Sequence, residues 1–254
     1  MCVHGLTGCA RDFDVLAPAL AAAGYRVVCP DVVGRGNSDR LADPRGYELR
    51  QYVSDMATLV THLGVAGVDW IGTSMGGLIG MSLAARADTA VRRLVINDIG
   101  PFIPRAALQR LGTYVGADPA FPDLVAAEAF LRGTRAPFGE LTDEQWRSMA
   151  ERTTRPDGTG GYRLHFDPGI AIRFHETSDQ DADLWQVWDA IECPILVLRG
   201  DESDLLLAET AAEMAERGAG AEVIEFAGCG HTPPLLEASQ IEQVIAWLGA
   251  DRSQ

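Results

Sequence analysis

No apolar run in this sequence reaches the roughly 20 residues that span a bilayer, and no basic segment precedes an apolar signal region at the N-terminus. Cysteine is scarce and unpatterned. Cys2, Cys9, Cys29, Cys193 and Cys229 are odd in number and lack CxxC spacing, which argues against a disulfide framework or a structural zinc site. Basic residues number only 21 against 36 acidic ones, for a formal net charge of -15. They are scattered, so the basic stripe that a phosphate backbone requires is missing. Cofactor signatures are missing too: there is no GxGxxG at a strand end, no GxxxxGK loop followed by Ser or Thr, and no His or Cys cluster at zinc spacing. These absences predict a cytoplasmic chain with no metal, no cofactor, no membrane segment and no nucleic-acid partner.

What is present points to a globular enzyme. With 254 residues, 47% of them hydrophobic and 22% charged, the chain is long enough to bury a sizeable core in one domain plus an insertion. Short Val- and Ile-rich runs at 25–29, 68–71, 93–97, 195–199 and 222–226 read as strands. They alternate with helical spacing over 13–23, 48–63, 75–87, 208–217 and 239–248, the pattern of parallel strands joined by crossover helices. The alternation stops between 102 and 189, where no strand is predicted and helices are expected near 122–131 and 142–152. This divides the chain into a core over 1–101 and 190–254 and a helical cap over 102–189, placed to sit over the strand ends as a lid. The three residues before His4-Gly5 are too few for a predicted strand. Either the usual leading strands are absent from the sheet, or the chain begins upstream of this sequence.

Gly72-Thr73-Ser74-Met75-Gly76 has the form GxSxG directly after one predicted strand and directly before a helix. A sharp strand-to-helix turn of this kind lifts a serine hydroxyl above the sheet, and its glycines leave room for the strained backbone. Serine needs a base to accept its proton, and His231, in the Gly228-Cys229-Gly230-His231 turn after the last predicted strand, is the best candidate. His62 lies on a helix, His165 and His175 in the insertion, and His4 in the turn beside the site. An acid must orient the histidine. Asp98 stands at the carboxyl end of the strand after the nucleophile helix, and Asp204 lies in the acidic turn Gly200-Asp201-Glu202-Ser203-Asp204.

His4-Gly5-Leu6-Thr7-Gly8, Asp31 with Gly34-Arg35-Gly36-Asn37-Ser38, the serine turn and Gly230-His231 together resemble the α/β-hydrolase superfamily from His4 to about Leu248. The resemblance implies an α/β-hydrolase fold, a mostly parallel sheet flanked by helices with an inserted lid. In most of that superfamily the acid lies three residues after the glycine that ends the next-to-last strand, a position occupied here by Ser203. One branch of small serine esterases instead carries it in an Asp-Ile-x-Pro segment, and Asp98-Ile99-Gly100-Pro101 is similar. The resemblance therefore favours Asp98, with Asp204 as the alternative acid. It also implies an oxyanion hole from the backbone amides of Leu6 and Met75. Asp31 and its glycines read as a structural turn, and the role of Arg35 is left open.

The expected activity is hydrolysis of a small carboxylic ester through Ser74, by a monomer or homodimer. His4, Gly5, Trp146, Trp185 and Trp188, with Phe166 and Phe174, are candidates for the substrate pocket, although helix packing is the default reading of the aromatic residues. Rival readings remain. Arg105, Arg110, Arg132, Arg135, Arg147, Arg152, Arg155, Arg163 and Arg173 make the insertion rich in arginine, as carbon–carbon bond hydrolysis of an acidic vinylogous diketone would want. A lactonase, thioesterase or perhydrolase would use the same residues, and a ligand receptor could share the fold. Epoxide hydrolases and dehalogenases of this fold use an aspartate nucleophile, so Ser74 argues against both.

Overall fold

The computed structural model describes residues 1–250. Five parallel strands form the central sheet in the order β1, β2, β3, β8, β9, where β1 is Cys2–Val3, β2 Val68–Thr73, β3 Val91–Asn97, β8 Ile195–Gly200 and β9 Glu222–Phe226. Alternation along each strand sorts its side chains between two cores. Val95, Leu196 and Leu198 point to one face, where they pack with α1 (Leu16–Ala22) and α10 (Ala238–Gly249). Trp70, Leu94, Ile96 and Val197 point to the other, toward α2 (Leu49–His62) and α3 (Met75–Ala84). Both faces are covered, which is why the central strands read as continuous apolar runs rather than alternating ones. Helix α9 (Ala208–Glu216) connects β8 to β9.

Two expectations for the sheet need correction. Two of the three leading residues do make a strand: β1 pairs parallel to β2 through Cys2 with Ile71 and Val3 with Gly72. Residues 25–29 do not. They run beside β1, but the short β1 offers them a single backbone bond, from Cys2 N to Val28 O at 2.9 Å, and one bond does not make a ladder.

Between β3 and β8 stand α4 (Arg105–Gly112), α5 (Leu124–Thr134), α6 (Asp143–Thr153), α7 (Ile170–Thr177) and α8 (Trp185–Asp189). This segment also contains strands, contrary to expectation. β4 (Phe102–Ile103) pairs antiparallel with β7 (Ala182–Asp183), so the segment leaves and rejoins the sheet through one neck. β5 (Thr154–Pro156) and β6 (Tyr162–Leu164) form a hairpin whose turn is held by Asp157 Oδ1, which accepts from the Thr159 and Gly161 amides at 2.7 and 3.0 Å. Strands of two or three residues are too short for a period of two to register in the sequence.

Candidate active site

Ser74 sits between β2 and α3 with φ 50° and ψ -115°, a left-handed strain that a non-glycine residue holds only when its surroundings impose it. Those surroundings are tight. A Cβ on Gly72 would collide with the Gly76 backbone, and one on Gly76 would collide with the Val3 carbonyl. The two glycines of the motif therefore let α3 begin directly above the sheet. Trp70 Nε1 donates to Gly76 O at 2.9 Å and fixes the same turn from below.

Asp98 follows β3 in the next strand of the sheet, is fully buried and also has a positive φ, 56°. Its Oδ1 accepts the Gly200 amide at 2.9 Å, and its Oδ2 accepts the Ser203 hydroxyl at 2.6 Å. Oδ2 also lies 2.8 Å from His231 Nδ1. With Nδ1 protonated toward the carboxylate, Nε2 is free to accept, and it stands 3.0 Å from Ser74 Oγ. Asn97 donates to Pro233 O at 2.9 Å and so ties the histidine loop to β3. Asp204 takes no part. Its carboxylate pairs with Arg110, at 2.7 Å from Nη2, and its side chain is 47% exposed.

Residues 4–8 pass on the other side of Ser74. His4 is wholly buried; burial lowers its pKa, which keeps the ring neutral. Nε2 accepts the Val32 amide at 3.0 Å, so Nδ1 carries the hydrogen and donates to Gly5 O at 2.8 Å. The Gly8 amide donates to the same carbonyl at 3.2 Å. Because a trans peptide points its C=O and N–H in opposite directions, this pinning turns the Leu6 N–H the other way. Met75 opens α3, so its amide is among those with no intrahelical acceptor. His4 was expected against substrate. It lies instead behind the peptide that reaches the cleft.

Arg35, whose role the sequence left open, connects these pieces. It is 1% exposed and stacks on Tyr52, with Cζ 4.8 Å from the ring centre. It donates from Nε to Leu6 O at 2.9 Å, from Nη1 to Val33 O at 2.8 Å and from Nη2 to Met75 Sδ at 3.6 Å. Burial pushes its pKa down from the usual arginine value.

A cavity of about 90 Å³ opens above Ser74. The core contributes Gly5, Leu6, Thr7, Asp12, Asn97 and the loop from His231 to Pro234, while the segment between β3 and β8 contributes Leu111, Tyr114, Arg135, Phe138, Met149 and Arg152. The tryptophans expected there lie elsewhere. Trp146 is buried with Arg132 over its ring, Trp185 stacks under Arg217, and fully buried Trp188 donates to Arg217 O at 3.0 Å. Phe166 belongs to the core, and Phe174 packs against it. These large rings have apolar surface to bury, and here the helix contacts bury it. Among the described residues no three metal-binding side chains converge.

The profile of the alpha/beta hydrolase fold family matches residues 1–238. The chain belongs to that family and is a hydrolase. It is 47% identical over 249 residues to the 3-hydroxybutyrate-oligomer hydrolase of Cupriavidus necator, covering 95% of this chain and 85% of that protein. It is 25% identical over 227 residues to the 2-hydroxymuconate semialdehyde hydrolase of Pseudomonas putida, covering 87% and 75%. The crystal structure of an alpha/beta hydrolase from Novosphingobium aromaticivorans superposes with a TM-score of 0.88 at 35% identity, over 97% of this chain and 87% of that one.

Proposed function

We propose that this chain is a serine hydrolase of short carboxylic esters, with oligoesters of 3-hydroxybutyrate as the substrate class suggested by its 47%-identical relative. The observation that carries this reading is the unbroken path from Asp98 through His231 to Ser74, at 2.8 and 3.0 Å, opening on a small cavity. Ser74 attacks the ester carbonyl while His231 Nε2 takes its proton, and Asp98 holds the ring's tautomer and stabilises the imidazolium. The amides of Leu6 and Met75 receive the oxyanion. The imidazolium returns the proton to the departing alcohol. A water activated by His231 then releases the acyl group as a carboxylic acid and restores Ser74.

Turnover of p-nitrophenyl esters, with a fluorophosphonate label located by mass spectrometry, tests the class and the nucleophile together. Ser74→Ala should lose both labelling and nearly all turnover while remaining folded. Asp98→Asn should lose about 10⁴-fold in kcat, as in other triads that lose their acid, whereas Asp204→Asn should stay near wild type. Full activity in Ser74→Ala, or the larger loss in Asp204→Asn, would refute these roles. Carbon–carbon bond hydrolysis is the second reading, favoured by the relative that acts on 2-hydroxymuconate semialdehyde. Faster consumption of a vinylogous diketone than of the 3-hydroxybutyrate dimer would put it first.

A further inference from the structure

We infer that the cleft selects esters carrying a free carboxylate, and that Arg152 is the group that binds it. This inference rests on the ester-hydrolase reading and narrows its substrate class. Four of the nine arginines between β3 and β8 pair with an acid: Arg110 meets Asp204, Arg132 meets Glu128 and Asp143, Arg163 meets Asp118, and Arg173 meets Glu176. Arg152 differs. It is only 6% exposed, it lines the cleft with Ser74, and no carboxylate lies in ion-pair range among the described residues. One of its nitrogens, Nη1, donates to the Ser148 hydroxyl at 3.3 Å, and the buried Nε has no partner.

A guanidinium withdrawn from water without a counter-charge is costly, and its planar fork of donors matches a carboxylate held by two bonds. The root of the side chain is anchored, since the Arg152 carbonyl accepts the Cys9 thiol at 3.4 Å in the last turn of α6. Two other charged side chains face the cleft. Arg135 bonds Thr7 O at 3.2 Å and lies over Phe138, and it has no acidic partner among the described residues either. Asp12 is the opposing charge, with Oδ2 accepting the Cys9 amide at 3.3 Å and no ion pair to Arg152. Of the charged side chains that line the cleft two are cations and one is a carboxylate, with Asp98 buried behind His231, inside a chain of net charge -15. An anionic substrate is repelled by the whole and attracted by the site, so its recognition has to be local. An oligomer of a hydroxy acid ends in such a carboxylate. A neutral ester does not.

The test compares the dimer and trimer of 3-hydroxybutyrate, as free acids and as their methyl esters, with turnover counted at the internal ester bond. Wild type should prefer the free acid by about 10- to 100-fold in kcat/KM, the range of a charged hydrogen-bonded contact. Arg152→Met should bring that ratio to about one through a raised KM for the acid, and Arg152→Lys should fall between. A wild-type ratio near one, or a ratio unchanged in Arg152→Met, overturns the inference. If Arg152→Met does not fold, Arg152→Lys decides: a free-acid preference well below that of wild type supports the site, and an unchanged preference overturns it. Methyl-ester turnover without preference for the acid removes the carboxylate site alone. Failure to cleave any ester brings down the ester-hydrolase reading together with it.

Discussion

Arg35 donates to Leu6 and Met75, the two residues whose amides are proposed to hold the oxyanion, and stacks on Tyr52 without reaching the substrate cavity itself. It acts through the peptides it fixes. Arg35→Met keeps most of the buried volume and removes those bonds, so kcat should fall by up to about 10²-fold, the scale of a misplaced catalytic group, with KM nearly unchanged. A rise in KM at constant kcat would show that Arg35 serves binding instead. This contact was not legible in the sequence, because Gly34-Arg35-Gly36 reads as a turn and its partners lie 29 and 40 residues away. Ser203 shows a different limit. Its place after β8 marked it as an acid position without an acid, and in the structure its hydroxyl, 2.6 Å from Asp98 Oδ2, supports the carboxylate that stands on β3 instead. Ser74 and His231 were legible as candidates from the turns that carry them, whereas Asp98 was preferred to Asp204 only through the resemblance of Asp98-Ile99-Gly100-Pro101 to an esterase segment.

Among elements, legibility followed length. The helices over 49–62, 143–153 and 238–249 run close to the predicted spans, because three or more turns repeat the apolar spacing often enough to be read. The two- and three-residue strands of the neck and hairpin offered no such repetition. Helix α6 carries both Met149 and Arg152 into the cleft, and it starts with a reciprocal cap: Thr142 Oγ1 accepts the Gln145 amide at 3.2 Å, and Gln145 Oε1 accepts the Thr142 amide at 2.7 Å. Thr142→Ala should destabilise the protein by about 1 kcal/mol, measured by urea unfolding. An unchanged midpoint would mean that α6 is held by its packing alone.

At the scale of the molecule, every one of the 21 basic residues is an arginine, so no amine titrates on the side chains and the pH response near neutrality falls to histidine. Burial lowers the pKa of His4 and, less deeply buried, of His165. The unfolded chain binds those protons from about pH 6.5 downward while the folded chain resists them. Their contribution to stability is thus complete above about 6.5 and is lost as pH falls toward the depressed folded values. The melting temperature should drop between pH 7 and 5.5, and His4→Asn should flatten that slope; an identical slope in the variant would exclude His4 as its source. The pairing of β4 with β7, reinforced by the Leu184 amide on Pro101 O at 2.7 Å, gives the intervening segment a single stem. Ser74, Asp98 and His231 all lie outside it, while Arg135, Phe138, Met149 and Arg152 lie within it. Under the proposed roles, bond-breaking and admission are heritable in separate pieces: a different cap spliced at this stem should exchange the substrate range and leave Ser74, Asp98 and His231, which follow β2, β3 and β9, where they were.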